Sequence, residues 1–180
     1  MRVKTQATIE DLYKVEGKAE LVNGEIVEMP PAGDEPGRAS LKVAANLLNY
    51  EQRTGIGRAY PDGTGFHVHL PHREAFGPDV AFHVGPRTGR RFLEGAPIFA
   101  VEVRSENDYS PSALADQADK RPDYFRPGTK VVWDVDPVAE VIHCYRAAAP
   151  TRPVEFRRGQ TADAEPAVPG RTVAADEIFA

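Results

Sequence analysis

The most constraining feature of the sequence is a single carboxylate inside a short apolar segment. Residues 98–105 read IFAVEVRS, with Pro97 before them and polar residues after them. This combination of β-branched and aromatic residues predicts a strand that is buried almost entirely. An ionised carboxylate in such a strand costs several kcal/mol unless it pairs with a cation. Glu102 therefore requires a positively charged partner from elsewhere in the chain.

The length and charge predict one globular domain, residues 1–180, and exclude a dedicated nucleic-acid coating protein. A chain of 180 residues with 41% hydrophobic and 27% charged residues can bury an ordinary core. Lys and Arg number 22 against 27 Asp and Glu, which gives a net charge of −5. Proteins that coat nucleic acid need a basic surface, although an enzyme can still meet nucleic acid through a local basic rim.

The cysteine content and the N-terminal residues predict a cytoplasmic protein without a membrane segment. Cys144 is the single cysteine, so an internal disulfide framework is excluded. Residues 1–18 lack the apolar core of a signal peptide, and no later run approaches membrane-spanning length. Because Cys144 has no acidic orienting partner in view, we interpret it as structural. We likewise expect Trp133 to fill core space.

Apolar periodicity and turn signals predict alternating helices and strands in an α/β or α+β arrangement. Asn23 and Gly24 lie between two apolar-alternating arms, which indicates a β-hairpin over residues 20–28. Pro122 falls inside a predicted helix, where we expect a kink or a late break. The predicted helices cover residues 8–13, 36–53 and 112–125, and the other predicted strands cover residues 65–70, 78–84, 98–105, 130–137, 138–146 and 154–158.

The spacing of two acids suggests a metal site. If the segments around Asp79 and Glu102 form adjacent strands, both carboxylates reach one end of the sheet. Two hard oxygen ligands with open water positions suit Mg²⁺ or Mn²⁺. Arg104 shares a strand face with Glu102, and Lys120 lies on the following predicted helix. The alternative is that Asp79 caps a strand and Glu102 pairs with a nearby Arg or Lys.

A competing metal hypothesis uses histidines. His67 and His69 are two residues apart and share a strand face, with His72 close behind and His83 on the next predicted strand. Two histidines on one face plus a carboxylate can hold Zn²⁺ in a hydrolase. The alternative is that these side chains face solvent or a groove, where histidine is tolerated. Zinc titration of a variant that lacks His67 and His69 separates the two cases.

Several fragments occur in an order that resembles a known family. They are ELVNGE at residues 20–25, PDV at 78–80, VEVRS at 101–105, Lys120 with Tyr124, Phe125 and Gly128, and VWDVDP at 132–137. This set is similar to the Uma-type family of putative restriction endonucleases, within the PD-(D/E)XK phosphodiesterase superfamily, from about residue 8 to residue 179. The resemblance implies a restriction-endonuclease-like mixed central β-sheet flanked by helices, and metal-dependent cleavage of nucleic-acid phosphodiesters.

The resemblance also assigns roles to individual residues. Asp79 and Glu102 match the metal-binding acids, and the backbone carbonyl of Val103 matches a further ligand. Glu20 matches the acid at the N-terminal edge of the site, and Lys120 matches a lysine that the family places on the helix. These matches predict a Mg²⁺- or Mn²⁺-dependent endonuclease that acts on DNA, with a homodimer to explain double-strand cleavage.

Two departures from the family pattern support an alternative. Arg104 stands where the superfamily motif has lysine, and arginine can stabilise charge but cannot act as a base. The segment at residues 31–38 lacks a histidine that relatives commonly have. The alternative is a catalytically degenerate member that binds nucleic acid or a partner protein. In the enzyme interpretation, Lys120 orients or activates the water and Arg104 steadies charge.

Overall fold

The computed structural model describes residues 6–180, so the first five residues of the predicted domain lie outside the described residues. In this range the helices are α1 (Ile9–Leu12), α2 (Asp34–Thr54), α3 (Pro111–Phe125) and α4 (Ala175–Phe179), with a 3-10 helix at Glu106–Tyr109. The strands are β1 (Ala19–Val22), β2 (Glu25–Glu28), β3 (Arg58–Tyr60), β4 (Phe66–His67), β5 (Ala75–Phe76), β6 (Val80–His83), β7 (Leu93–Glu94), β8 (Phe99–Val103), β9 (Val131–Asp136), β10 (Val141–Arg146), β11 (Ala149–Arg157), β12 (Thr161–Asp163) and β13 (Thr172–Ala174). None of the helices in residues 6–180 combines the length and the apolar character needed to cross a membrane.

The central sheet is mixed, as predicted. Six strands lie in the order β11-β10-β9-β8-β6-β3. β8 and β9 are parallel, and helix α3 connects them, whereas the other neighbours in this sheet are antiparallel. A parallel pair requires such a crossover because its strands run in the same direction. The crossover brings α3 back across the sheet next to β8.

The N-terminal hairpin forms at the predicted turn. Asn23 and Gly24 adopt φ values of 52° and 70°, and Val22 pairs with Glu25 across the turn. A two-residue turn of this kind needs positive φ at both positions, which Asn and Gly tolerate. The hairpin orients Glu20, which is buried.

The alternation of side chains along β8 separates the two faces of the sheet. Val101 belongs to the larger core cluster, together with Leu47 of helix α2. Ala100 belongs to the cluster on the opposite face, together with Tyr124 of helix α3. Successive side chains of a strand point to opposite faces, so Glu102 lies on the same face as Ala100. The one carboxylate of this strand therefore faces α3.

Three features differ from the sequence-based expectation. The two strands predicted at residues 65–70 and 78–84 belong to different sheets, because β4 pairs with β5 and β7 in a separate three-stranded sheet whereas β6 joins the central sheet. The pair β12–β13 and helix α4 were not predicted. Helix α3 runs through Pro122 and ends at Phe125, and the Arg126 N–H donates to the Pro122 carbonyl at 3.0 Å. Strands β12 and β13 have three residues each and helix α4 has five, and segments this short show no periodic pattern from which they could be predicted.

Gly57 offers a test of packing between α2 and the central sheet. Its φ is +62°, and an added Cβ would lie 2.5 Å from the buried ring of Phe82. Gly55 has a similar φ of +68° but nothing within 4 Å of an added Cβ. Each Ala substitution should lose about 1 kcal/mol from the left-handed backbone, and Gly57→Ala should lose a further ~1–3 kcal/mol from overpacking.

Urea unfolding measures this difference directly, with Gly55→Ala as the matched control. Equal losses of unfolding free energy in the two variants would contradict the close packing of Gly57 against Phe82.

Candidate active site

The two acids singled out by spacing lie at the same end of adjacent strands. Asp79 immediately precedes β6, Glu102 is near the end of β8, and Val80 pairs with Val101 between them. The Asp79 N–H donates to the Val101 carbonyl at 3.0 Å, and the Val103 N–H donates to Asp79 Oδ2 at 2.6 Å. These two hydrogen bonds hold the Asp79 carboxylate across the end of β8. The predicted adjacency of the two strands is confirmed.

Asp79 and Glu102 line one cavity with a volume of about 360 Å³. Val103 also lines it. The N–H and carbonyl of one strand residue point to the same side of the strand. Because the N–H of Val103 meets the Asp79 carboxylate, its carbonyl points to the Asp79 side as well. Two carboxylates and one main-chain carbonyl are thus available at the same end of the sheet.

Lys120 supplies the cation that Glu102 requires. Its Nζ lies 2.8 Å from Glu102 Oε1 and 2.8 Å from Glu20 Oε1. One helical turn later, the Tyr124 hydroxyl donates to the same oxygen of Glu102. The Tyr124 ring stacks on Phe76, with centroids 4.2 Å apart and an interplanar angle of 16°. Helix α3 therefore presents both an ammonium and a hydroxyl to Glu102.

Glu20 is enclosed by donors from three segments. Its Oε1 accepts from the Gly77 N–H at 2.9 Å as well as from Lys120, and its Oε2 contacts Arg73. The Nε of Arg73 also donates to Asp123 at 3.1 Å. Strand β1 is therefore linked to α3 in two ways. Glu20 pairs directly with Lys120, and Arg73 bridges Glu20 to Asp123.

Lys18 is a member of this cluster that the sequence interpretation missed. Its Nζ contacts Asp79 Oδ1 at 2.5 Å and Asp62 Oδ1 at 2.8 Å, and its side chain is only 14% exposed. Lys18 lies two residues before Glu20, so the period of a strand places both on one face. That spacing was the available signal. Asp62 belongs to no sequence motif, and the loop after β3 brings it to the site.

The electrostatics of the cluster follow from burial opposed by ion pairing. Burial disfavours the charge on Lys120, but Glu102 and Glu20 outweigh it and raise the pKa of the ammonium. Burial likewise opposes ionisation of Glu20, but Lys120 and Arg73 lower its pKa below the ordinary value. Burial raises the pKa of the Glu102 carboxyl, and the negative charge of Asp79 raises it further. The positive charge of Lys120 lowers it but does not cancel the rise. Ion pairing therefore outweighs burial at Glu20 and Lys120, whereas burial outweighs ion pairing at Glu102.

Arg104, at the position of the motif lysine, contacts a different pair of acids. Its Nε and Nη2 donate to the two carboxylate oxygens of Asp134 at 2.8 and 2.7 Å, and its Nη1 donates to Asp136 at 2.9 Å. Asp136 also accepts from the Tyr109 hydroxyl at 2.9 Å. These acids are thus the ion-pair partners of Arg104. Its role in steadying charge during a reaction stays a prediction.

The four histidines of the zinc hypothesis do not form one group. His67 and His69 lie together with Glu94, and the ligand atoms of these three residues are within 4.8 Å of one another. His72 pairs with a buried aspartate of α3 at 2.8 Å. His83 is buried on β6 in the central sheet. Neither His72 nor His83 therefore belongs to the group that His67 and His69 form.

The buried ion pairs of Arg104 predict a structural effect of its removal. Arg104→Met leaves the buried Asp136 without its ion-pair partner and the buried Asp134 with only Arg121, at 3.9 Å, which should cost about 3–5 kcal/mol of unfolding free energy. The control is Arg157→Met, because Arg157 makes an exposed ion pair with Glu155 at 2.8 Å. Its loss should stay within about 0.5 kcal/mol. Chemical unfolding of both variants measures the contrast, and similar losses would show that the Arg104 pairs add no stability.

Cys144 and Trp133 lie in the core, as expected. Trp133 is fully buried and donates its indole N–H to the Asp163 carbonyl at 3.2 Å.

Burial raises the pKa of the Cys144 thiol to about 11. The thiolate is the reactive form, so we expect native protein to resist a disulfide reagent near neutral pH and unfolded protein to react at once. Rapid labelling of the native protein would contradict the buried, protonated thiol.

Comparisons with known proteins give a family match and a structural likeness. A family model described as Uma2, a putative restriction endonuclease, matches residues 7–176. No curated protein sequence matches the chain significantly. The crystal structure of a putative nuclease belonging to DUF820 from Anabaena variabilis ATCC 29413 superposes with a TM-score of 0.73. The two chains are 16% identical, and the match covers 96% of this chain and 97% of the other. At that identity the likeness establishes the fold, which confirms the predicted mixed sheet with flanking helices.

Proposed function

The chain belongs to the Uma2 family of putative restriction endonucleases, whose model spans residues 7–176, and from this premise we propose that it is a divalent-metal-dependent endonuclease that cleaves DNA. The observation that carries the proposal is the position of Asp79 and Glu102 at the end of adjacent strands, in one cavity with Lys120. An arrangement of two acids and a lysine supplies both metal ligands and a fixed cation for phosphodiester hydrolysis.

The donor atoms fit a hard divalent cation. The carboxylates of Asp79 and Glu102 and the carbonyl of Val103 are oxygen ligands, which Mg²⁺ and Mn²⁺ prefer. Both contacts to Glu102 from α3 use Oε1, so we assign Oε2 to the metal. Lys18 pairs with Asp79 and Lys120 pairs with Glu102, which supports both carboxylates as ionised groups that attract cations. We propose Mg²⁺ as the resident ion, with Mn²⁺ as a substitute.

The protein groups divide the remaining work. A bound divalent ion polarises the phosphoryl oxygen and makes its water acidic. An ammonium has three N–H donors, and Lys120 directs two of them to Glu20 and Glu102. We assign the third to orienting the attacking water. Glu20 acts by holding Lys120 in position from the edge of the site.

Arg104 acts from the rim of the cavity in this proposal. Asp134 lines the cavity beside Glu102, and its negative charge would repel a DNA phosphate. Arg104 neutralises Asp134 and Asp136, which steadies charge where the backbone of the substrate would enter. One site of this kind cuts one strand, so we further propose a homodimer for double-strand cleavage. Sedimentation velocity on the purified protein tests the dimer separately from activity.

Nicking of supercoiled plasmid in the presence of Mg²⁺ or Mn²⁺ tests the enzyme proposal. We expect the wild type to nick, and Asp79→Asn and Glu102→Ala to lose the activity by about a hundredfold or more because each removes a metal ligand. Glu155→Ala is the matched control, since it removes an exposed carboxylate on β11 and should leave the rate unchanged. No nicking by the wild type, or nicking by Glu102→Ala at the wild-type rate, would overturn the enzyme proposal.

The second candidate function is a degenerate family member that binds nucleic acid or a partner protein. The observation in its favour is that Arg104, in place of the motif lysine, is engaged by Asp134 and Asp136. Calorimetric titration with Mn²⁺ distinguishes the two functions. The enzyme should bind Mn²⁺ in a manner that Asp79→Asn abolishes, whereas a degenerate scaffold should show no binding that depends on Asp79.

A further inference from the structure

A second group of ligand-type side chains lies on the small three-stranded sheet. Strands β4 and β7 pair in parallel with His67 opposite Glu94. The segment after β4 remains hydrogen-bonded, because the Val68 N–H donates to the Glu74 carbonyl at 2.9 Å and the Gly95 N–H donates to the His67 carbonyl at 2.8 Å. The extended backbone places His67 and His69 on one face. The main chain thus fixes all three ligand residues side by side.

The donor atoms are already close to the separations of a tetrahedral metal site. His67 Nδ1 lies 3.1 Å from Glu94 Oε1, and His69 Nε2 lies 4.0 Å from Glu94 Oε2. Ligands at ordinary Zn–N and Zn–O lengths are about 3.3 Å apart in a tetrahedron. The side chains of His69 and Glu94 are 77% and 60% exposed, so both can rotate by the small amount required. Binding therefore needs no movement of the backbone.

We propose that His67, His69 and Glu94 bind one zinc ion, with the fourth position open to water. Two imidazoles and one carboxylate form a ligand set that suits zinc and related transition metals, whereas oxygen-only sites suit Mg²⁺ and Mn²⁺. The site shares no residue with the cavity that holds Asp79 and Glu102, so it goes beyond the proposed nuclease function. The carboxylate also supplies the negative charge that partly neutralises the ion.

The ion would cross-link two strands that are paired over only a few residues. β4 and β7 each contain only two residues, and the pair joins positions 27 apart in the chain. Phe66 of β4 packs in the same cluster as Phe76 and Tyr124, and Tyr124 donates to Glu102. Zinc at this site would therefore stabilise the layer that supports Tyr124. We expect the metal to raise the thermal stability of the whole chain, since it binds the folded state.

Calorimetric titration of tag-free protein with ZnCl₂ tests the site. With excess Mg²⁺ present to occupy the proposed Asp79–Glu102 site, we expect one equivalent of zinc to bind to the wild type, and the double variant His67→Ala, His69→Ala to lose that binding. Glu94→Gln should weaken it about tenfold or more, because an amide oxygen carries no charge. In parallel, zinc should raise the melting temperature of the wild type but not of the double variant. This second readout does not depend on nuclease activity.

Two controls locate the ion. His143→Ala removes a histidine of the central sheet that pairs with Glu155 at 3.4 Å, outside β4 and β7, and should bind zinc like the wild type. Asp79→Asn should also bind zinc like the wild type, although its nuclease activity should be lost. If the double variant fails to fold, His69→Gln replaces it, because the exposed side chain of His69 can change without affecting the core.

The outcomes separate this proposal from the nuclease proposal. Absence of zinc binding by the wild type, or undiminished binding by the double variant, overturns the zinc site whatever the nicking assay shows. Zinc binding that is lost in Asp79→Asn but retained in the double variant places the ion at the other cavity and overturns it too. Zinc binding that requires His67 and His69 supports it even if the protein has no nuclease activity.

Discussion

The ammonium of Lys120 is the interaction on which the geometry of the site depends. It lies 2.8 Å from carboxylate oxygens of both Glu20 and Glu102, and these three residues belong to the hairpin, the central sheet and helix α3. Removing one partner of a buried ion pair leaves the other charge uncompensated, at a cost of about 3–5 kcal/mol. The three segments are therefore held in one arrangement, and the cavity takes its shape between them.

The same charges are the physical basis of the metal site that we propose at this end of the sheet. The carboxylates of Asp79 and Glu102 lie side by side and are only partly exposed, and the pKa of Glu102 is raised by burial and by the charge of Asp79. Lys18 and Lys120 offset that repulsion. Stability alone would favour replacing such a cluster with apolar side chains, since buried ion pairs often contribute little net free energy. The proposed nuclease function supplies a reason for these charges other than stability.

The small sheet connects the proposed zinc ligands to the nuclease cavity through ordinary packing. Phe76 stacks on Tyr124, and Tyr124 donates to Glu102, so any change in the stability of β4, β5 and β7 reaches the acid of β8. Two-residue strands have few hydrogen bonds to resist fraying. The proposed zinc ion at His67 and Glu94 would cross-link β4 to β7 and so hold the small sheet against α3.

The sequence by itself determined the local elements and the chemical requirement at their centre. Asn23 and Gly24 specify a turn through their positive φ, and the apolar context of Glu102 demands a cation. The order of the fragments around Asp79, Glu102 and Lys120 resembled one family, and that resemblance implied the mixed sheet.

Only the tertiary structure decided which charges meet. Lys18 contacts Asp79 across 61 positions in the chain, and Arg104 turns to Asp134 and Asp136 because β8 and β9 pair in parallel with Glu102 opposite Asp134. Likewise, Glu94 reaches His67 through the register of β4 and β7. Strand register and crossover packing set these partners. Neither is encoded in the period of any single segment, so residue spacing could not predict these particular partners.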